Sequence, residues 1–381
     1  MVKKKLIYVS SPYTGAVVEG QVYELLEYYK QQDWFEDILL LQSYSSEEDR
    51  RKGEEILNKF SFRRKFFWMN PFYSFLYRKS VRGLSGVIIN EVYENTVIHV
   101  RGGMYARYVR EALPERFKNA LILDEFRGLF SDEQNYLSRS NVIDTIKKYL
   151  RSYHVRHCNK IMQQDNQIIY TAVSPLLREI EAKEDGFDIN KISMHPNVAA
   201  PYFRYDPVSR NRLRRELGVP EDKILVVMSS GESTKWQKDT EVAETLTKKG
   251  YFVLNLSRKK LDLPNVFSMF VPHKEMPAYL SACDAALLWR DDTPLNHVAC
   301  PSKYCEFAVM GLYVIHNNTI DIVSRFIREH NAGQLIDNKE DINLSSLSFS
   351  ENERLKRCEA GYKVFSMDVI ASSYYKILCC K

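Results

Sequence analysis

The sequence predicts an α/β protein built from two doubly wound domains, and three observations carry that prediction. Short runs rich in β-branched and aromatic residues alternate with amphipathic helical stretches along most of the chain, the pattern of parallel sheets covered on both faces. At 381 residues the chain exceeds what one ordinary core holds, so two domains of roughly 150–200 residues are the natural division. The alternation breaks once, in a passage rich in Pro, Arg and Tyr at 196–210, and then restarts.

Taken in order, residues 6–10 (LIYVS) read as a buried strand, because strands of a doubly covered sheet are continuous apolar runs. A turn containing Pro12 and Gly15 follows, then a helix through 23–29. Strands are expected at 38–41, 86–90, 97–100, 120–124, 166–172 and 191–195. After the interruption they are expected at 224–228, 251–255, 266–270, 285–289 and 313–316, each followed by a helical stretch. Residues 351–378 read as one or two amphipathic helices, with Val364, Val369, Ile370, Tyr374 and Ile377 at helical spacing. Open sheets of this kind bind ligands outside the carboxyl ends of their strands. A cleft faced by the two domains is therefore the expected site.

Composition excludes several classes. With 45% hydrophobic and 27% charged residues the chain is an ordinary globular one. No apolar run approaches the ~18–20 residues that span a bilayer. The start, MVKKKLIYVSS, lacks the apolar core and cleavage site of a signal peptide. Seven scattered cysteines, an odd number, read as reduced thiols in a cytosolic protein. A net charge of +5 suits anionic small molecules or a membrane surface. Without an aromatic-sheet or helix-turn-helix signature, no nucleic-acid partner is expected.

The most informative stretch is 299–315, ACPSKYCEFAVMGLYVI. It follows the strand expected at 285–289 and the loop RDDTPLNHVAC, so it begins at the carboxyl end of a strand. Pro301 suits the first position of a helix. The free N–H groups of Ser302 and Lys303 would lie at the positive end of the helix dipole, which suits a phosphate, and Lys303 adds a point charge. Glu306, one turn on, could accept two hydrogen bonds from a vicinal diol such as a ribose. On an arbitrary helix the same pair would be a solvated i,i+3 contact worth a few tenths of a kcal/mol.

The surroundings favour the first reading. Segment 284–315 resembles the nucleotide-sugar site of glycosyltransferase family 4, the group 1 glycosyl transferases of GT-B fold, in Asn296, in Pro301-Ser-Lys303-Tyr-Cys-Glu306 and in Gly311-Leu-Tyr-Val-Ile. PHKEMPAYLSACD (272–284) resembles the segment leading into it. SSGESTKWQK (229–238) resembles the family's glycine turn, and HPNVAAPYFRYDP (195–207) its interdomain linker without the glycine. SSPYTGAVVEGQVYELLEYY (10–29) resembles the opening strand, loop and helix. HVRGGMYA (99–106) and LDEFRGLFSDE (123–133) resemble a bacterial surface-polysaccharide subgroup.

The resemblance implies two Rossmann-like domains facing a cleft. Residues 1–200 would hold the acceptor and 201–360 the nucleotide-sugar donor, with 361–381 packing back on the first domain. Glu306 would bind the ribose, and Lys303 with the Ser302 N–H the diphosphate. Lys235 or Lys238, after Gly231, would be a second basic contact on the leaving group, with Lys238 placed among the catalytic residues. His273 falls where the family holds the base through its backbone, and Gly15 would let the backbone approach the donor. Asp124 and Arg127 fall near the family's usual catalytic histidine. Two departures stand on the sugar side. Val298 replaces a glutamate eight residues before Glu306, and Glu232 replaces an arginine.

The implied activity moves a hexosyl group from a nucleoside-diphosphate sugar to a hydroxyl of a growing, lipid-linked surface glycan, such as capsule or lipopolysaccharide, with retention. No metal or cofactor is expected, because helix N–H groups and lysines would stabilise the leaving diphosphate. The alternatives are a non-catalytic nucleotide-sugar-binding subunit of a polysaccharide assembly complex, or a GT-B sugar-nucleotide epimerase.

Other motifs carry less. Asp291-Asp292 has the look of a metal motif that belongs to a different fold. HVRHC (154–158) has ligand-type residues without a second cluster at zinc spacing, so chance surface histidines are expected there. Cys300 and Cys305 read as packing residues. Between Phe60 and Lys79, FSFRRKFFWMNPFYSFLYRK interleaves aromatic and basic residues. It suits an anionic membrane surface, or else a core helix whose cations snorkel out. The first reading makes the protein a peripheral one on the inner face of the plasma membrane.

Overall fold

The computed structural model describes residues 3–12, 15–69, 76–129, 142–229 and 239–380. The chain forms two compact units, Met1–His195 with Ala371–Lys381, and Pro196–Ile370.

The first unit holds a seven-stranded sheet in the order β3-β2-β1-β4-β5-β6-β7. Its strands are β1 (Lys5–Ser10), β2 (Asp37–Tyr44), β3 (Arg63–Trp68), β4 (Thr96–Arg101), β5 (Ile122–Phe126), β6 (Ile168–Ala172) and β7 (Ile192–Met194). Every pairing is parallel, with Tyr8 opposite His99 and Arg101 opposite Glu125. From β1 the chain winds one way through β2 and β3, then returns and winds the other way from β4. The reversal leaves a crevice outside the carboxyl ends of β1 and β4.

The second unit repeats the plan with six strands in the order β10-β9-β8-β11-β12-β13, all parallel. They are β8 (Leu225–Met228), β9 (Phe252–Asn255), β10 (Val266–Ser268), β11 (Ala285–Leu288), β12 (Tyr313–His316) and β13 (Gly333–Leu335). Here the switch point lies between β8 and β11. The core between this sheet and its helices includes Val226, Val253, Leu287 and Ile315.

Four expectations are corrected. Residues 86–90 are not a strand but lie at the end of the helix Tyr77–Ile88 and in the turn after it. Ser80, Leu84 and Ile88 recur there every four residues on its buried face, a helical period hidden by the β-branched run VII. Residues 63–68 are a strand, so the core helix considered for 60–79 does not form. β3 is an edge strand, where charged side chains are at home. Arg63 and Lys65 bind Glu91 at 2.9 and 2.7 Å, Phe67 is buried, and the Lys79 ammonium lies over the Trp68 ring. Burial raises the Glu91 pKa, but its bonds to Lys5, Lys65 and Arg63 win and take it down to about 2. Residues 70–75 lie outside the described residues.

No helix joins β9 to β10, against the expectation that each strand is followed by one. β13 was not anticipated, since GQL carries no β-branched residue.

Two helices close the chain, Glu351–Phe365 in the second unit and Met367–Cys379, whose residues from Ala371 onward belong to the first. Arg354 ties the earlier one down by donating to the carbonyls of Met310, Leu280, Ser281 and Cys283. Among the described residues no helix is long and apolar enough to cross a membrane.

Candidate functional site

In the second unit the crevice outside β8 and β11 is where polar side chains collect. The loop after β11 makes one short helical turn, Pro294–His297, capped by Thr293. Asn296 donates to the Asp291 carbonyl at 2.8 Å, which braces this loop. The helix Ser302–Val309 then starts, and Pro301 stands just before its first residue rather than in it. The amides of Ser302 and Lys303 fall in the first turn, where helix geometry offers no internal acceptor. Gly311 ends the unit at φ +65 and passes so close to the Arg354 carbonyl that a Cβ there would collide with it.

Lys303 reaches across the switch point. Its Nζ donates to Ser229 Oγ at 2.8 Å, and Ser229 is the residue directly after β8. Glu306 is buried on the same helix. Its Oε1 accepts from His273 Nε2 at 2.8 Å, and His273 Nδ1 accepts from Tyr202 Oη, also at 2.8 Å. The carboxylate therefore selects the His273 tautomer, which Tyr202 completes from the other side. Phe203 packs on the imidazole with ring centroids 5.1 Å apart. Glu306 Oε2 is equally buried and has no hydrogen-bond partner among the described residues. A buried carboxylate oxygen left unbonded is costly, and a donor from a ligand would remove that cost.

Of the residues expected here, the structure pairs His273 with Glu306, and Lys303 and Ser302 precede Glu306 by about one turn on the same helix. Asn296 braces the neighbouring loop. Gly231, Glu232, Lys235 and Lys238 lie outside the described residues. Val298 is wholly buried, so that position turns into the core. Cys300 and Cys305 are buried with their sulfurs 3.8 Å apart, and the Asn197 amide donates to Cys300 Sγ.

In the first unit, Gly15 has φ +96 in the loop after β1, and its carbonyl accepts from the Val18 and Glu19 amides. Asp124 and Arg127 are not brought together. Side chains alternate across a strand, so Asp124 and Glu125 of β5 point to opposite faces. Arg127 pairs with Glu125 at 2.9 Å. Burial first, then Glu125 and Glu181, push the Asp124 carboxyl well above the usual range, and its Oδ1 has no partner among the described residues. Glu125 also accepts from His99 at 2.5 Å and from Tyr8 Oη at 3.2 Å, and Arg101 lies 3.6 Å away. Burial raises its pKa, but Arg127, His99 and Arg101 hold it well below the usual carboxylate range. Tyr374 of the last helix stacks on His195 and tilts against His99 over this cluster.

Sequence reading passed over Glu125, His99, Arg101, Tyr202 and Ser229. For the first three a signal existed, since strict alternation in HVR and LDEF puts His99, Arg101 and Glu125 on one face. The run 154–158 is also corrected. His154 and Cys158 are buried rather than on the surface, and Tyr108 Oη lies 2.9 Å from His154 Nε2. Burial first, then Arg107, lowers the His154 pKa to about 4. Among the described residues, no group of three or more His, Cys, Asp or Glu side chains could hold a metal ion.

No family model and no curated protein sequence matches the chain significantly. Solved structures do. A glycosyltransferase from Rickettsia africae aligns over 99% of both chains with a TM-score of 0.69 at 16% identity. HepE of Anabaena, in complex with UDP, aligns over 99% of this chain and all of its own at TM-score 0.70 and 11% identity. WaaG, a glycosyltransferase involved in lipopolysaccharide biosynthesis, aligns over 99% of this chain and all of its own at TM-score 0.64 and 10% identity. The fold of this chain is that of these glycosyltransferases, GT-B with two Rossmann-like domains.

Proposed function

We propose that the protein is a glycosyltransferase that moves a hexosyl group from a nucleoside-diphosphate sugar to a hydroxyl of a surface-glycan acceptor, lipid-linked and on the inner face of the plasma membrane, with retention. One observation carries the reading. The buried Glu306 carboxylate has one oxygen fixed by His273 and the other without a partner among the described residues, beside Lys303 and a helix N-terminus at a switch point. A ribose diol would supply the missing donor, and the helix N–H groups with Lys303 would meet the diphosphate. The structural neighbours support a nucleotide-sugar donor, since one of them, HepE, was solved in complex with UDP. Lys235 or Lys238 would add charge on the leaving group, Asn296 would hold the donor loop, and Asp124 and Arg127 would be the catalytic residues of the first unit. No metal is required for this division of labour.

The experiment is a thermal-melting titration with UDP, GDP, ADP, TDP and CMP. Stabilisation by one nucleoside diphosphate, lost in Lys303→Ala, is the expected result. No response to any of them would remove the donor site. The buried Val298, where a second glutamate would touch the sugar, favours one other reading, a subunit that binds nucleotide-sugar without turning it over. Donor hydrolysis separates the two, since a binder shows none.

A further inference from the structure

The helix Val142–Met162 of the first unit carries apolar residues on two sides, one packed on the protein and one facing solvent, unlike a surface helix with a single apolar face. Toward the protein it turns Arg151, His154, Val155, Cys158, Asn159 and Met162, all buried. Toward solvent it turns Val142, Ile146, Tyr149, Leu150 and Tyr153, which at 3.6 residues per turn share a sector of about 100°. Tyr149 is 71% exposed and Tyr153 63%. Ile143 and Ile161 widen the same side, and both are exposed too. An apolar stripe of this length on a water-facing helix marks a surface meant to be covered.

The charges say by what. Residues 142–162 contain Lys147, Lys148, Arg151, Arg156 and Lys160 against a single acid, Asp144. By helical position Arg156 and Lys160 lie on the stripe and continue it, and both are exposed, whereas Lys147 and Lys148 fall on the opposite side of the helix. Two tyrosines, whose rings are apolar and whose hydroxyls are polar, suit the boundary between acyl chains and headgroups. A second copy of the chain on this face would bring Arg156 and Lys160 against their own duplicates. We propose that this helix is a docking surface for an anionic lipid bilayer and lies flat on it with Tyr149 and Tyr153 at headgroup level. This places the membrane contact on Val142–Met162 rather than on the stretch from Phe60 to Lys79, whose Arg63 and Lys65 are paired with carboxylates at the sheet edge and whose Phe67 is buried. It does not depend on the donor site, and its test uses no nucleotide.

The full chain is sedimented with vesicles of phosphatidylcholine and phosphatidylglycerol, and with phosphatidylcholine alone. The protein should co-sediment with the anionic vesicles only. Binding should fall as sodium chloride rises from about 0.1 to about 0.5 M, because the charge term is screened. Ile146→Ser/Tyr149→Ser/Tyr153→Ser should lower the partition coefficient by about a hundredfold or more, with an unchanged melting temperature, since all three side chains are exposed. Arg156→Glu/Lys160→Glu should weaken binding to anionic vesicles and reduce its salt dependence. Wild-type protein that stays in the supernatant overturns the proposal, as does a triple variant that binds like wild type. A wild type that is dimeric at low salt while the triple variant is monomeric also overturns it, by assigning the stripe to a second copy.

Discussion

At the carboxyl edge of the first unit's sheet, Glu125 meets His99, Arg101 and Arg127 and accepts from Tyr8. At the carboxyl edge of the second, Glu306 meets His273, and its other oxygen meets nothing among the described residues. Both carboxylates are buried at about the same depth in related architecture. Their surroundings differ in charge. Glu125 lies among two guanidinium groups and an imidazole, so its negative charge is answered inside the protein. Glu306 is held by an imidazole that also bonds a tyrosine hydroxyl, and it keeps an acceptor unfilled. A buried charge answered by neighbours holds a fold together, whereas a buried acceptor left open is a place for a ligand.

That contrast breaks most visibly at Glu125. Glu125→Leu would leave Arg101 and Arg127 facing each other without the carboxylate between them. Breaking a buried pair from one side costs about 3–5 kcal/mol, so urea unfolding should shift by that amount. A shift under about 1 kcal/mol would mean that the cluster does not stabilise the unit.

Glu306→Ala should behave in the opposite sense. Nucleoside-diphosphate binding, followed by calorimetric titration, should weaken by ~1.5–3 kcal/mol, about 10- to 150-fold. Unfolding free energy should change by less than about 1 kcal/mol, because one of the two oxygens removed had no partner. A large loss of stability with unchanged affinity would make Glu306 a second Glu125, and the distinction between the two sheet edges would fail.

How much of this was legible depended on whether the information was local. The strands β1, β8 and β11 announce themselves as continuous apolar runs, and Lys303 and Glu306 lie three residues apart on one helix, so both could be read from a short window. β3 could not. RRKFFW carries the charge of an edge strand, and only the distant Glu91 and Asp37 explain why those cations sit there. Glu125 was masked by Asp124, its neighbour on the opposite face. Tyr202 stands 71 residues before His273, and no spacing rule links them.

Tyr202 also gives the smallest test. In Tyr202→Phe the ring remains but the hydroxyl that donates to His273 Nδ1 is lost. His273 Nε2 must carry its proton to donate to Glu306, which leaves Nδ1 as an acceptor in need of a donor. Without Tyr202 the imidazole is free to shift its tautomer or turn, and Glu306 loses a fixed partner in part of the population. A hydrogen bond of this kind is worth about 0.5–1.5 kcal/mol. Affinity for the nucleoside diphosphate should therefore fall by about 2- to 10-fold, with little change in melting temperature. Unchanged affinity would mean that packing against Phe203 alone orients His273, and the open oxygen of Glu306 would then owe its position to the helix and not to the relay.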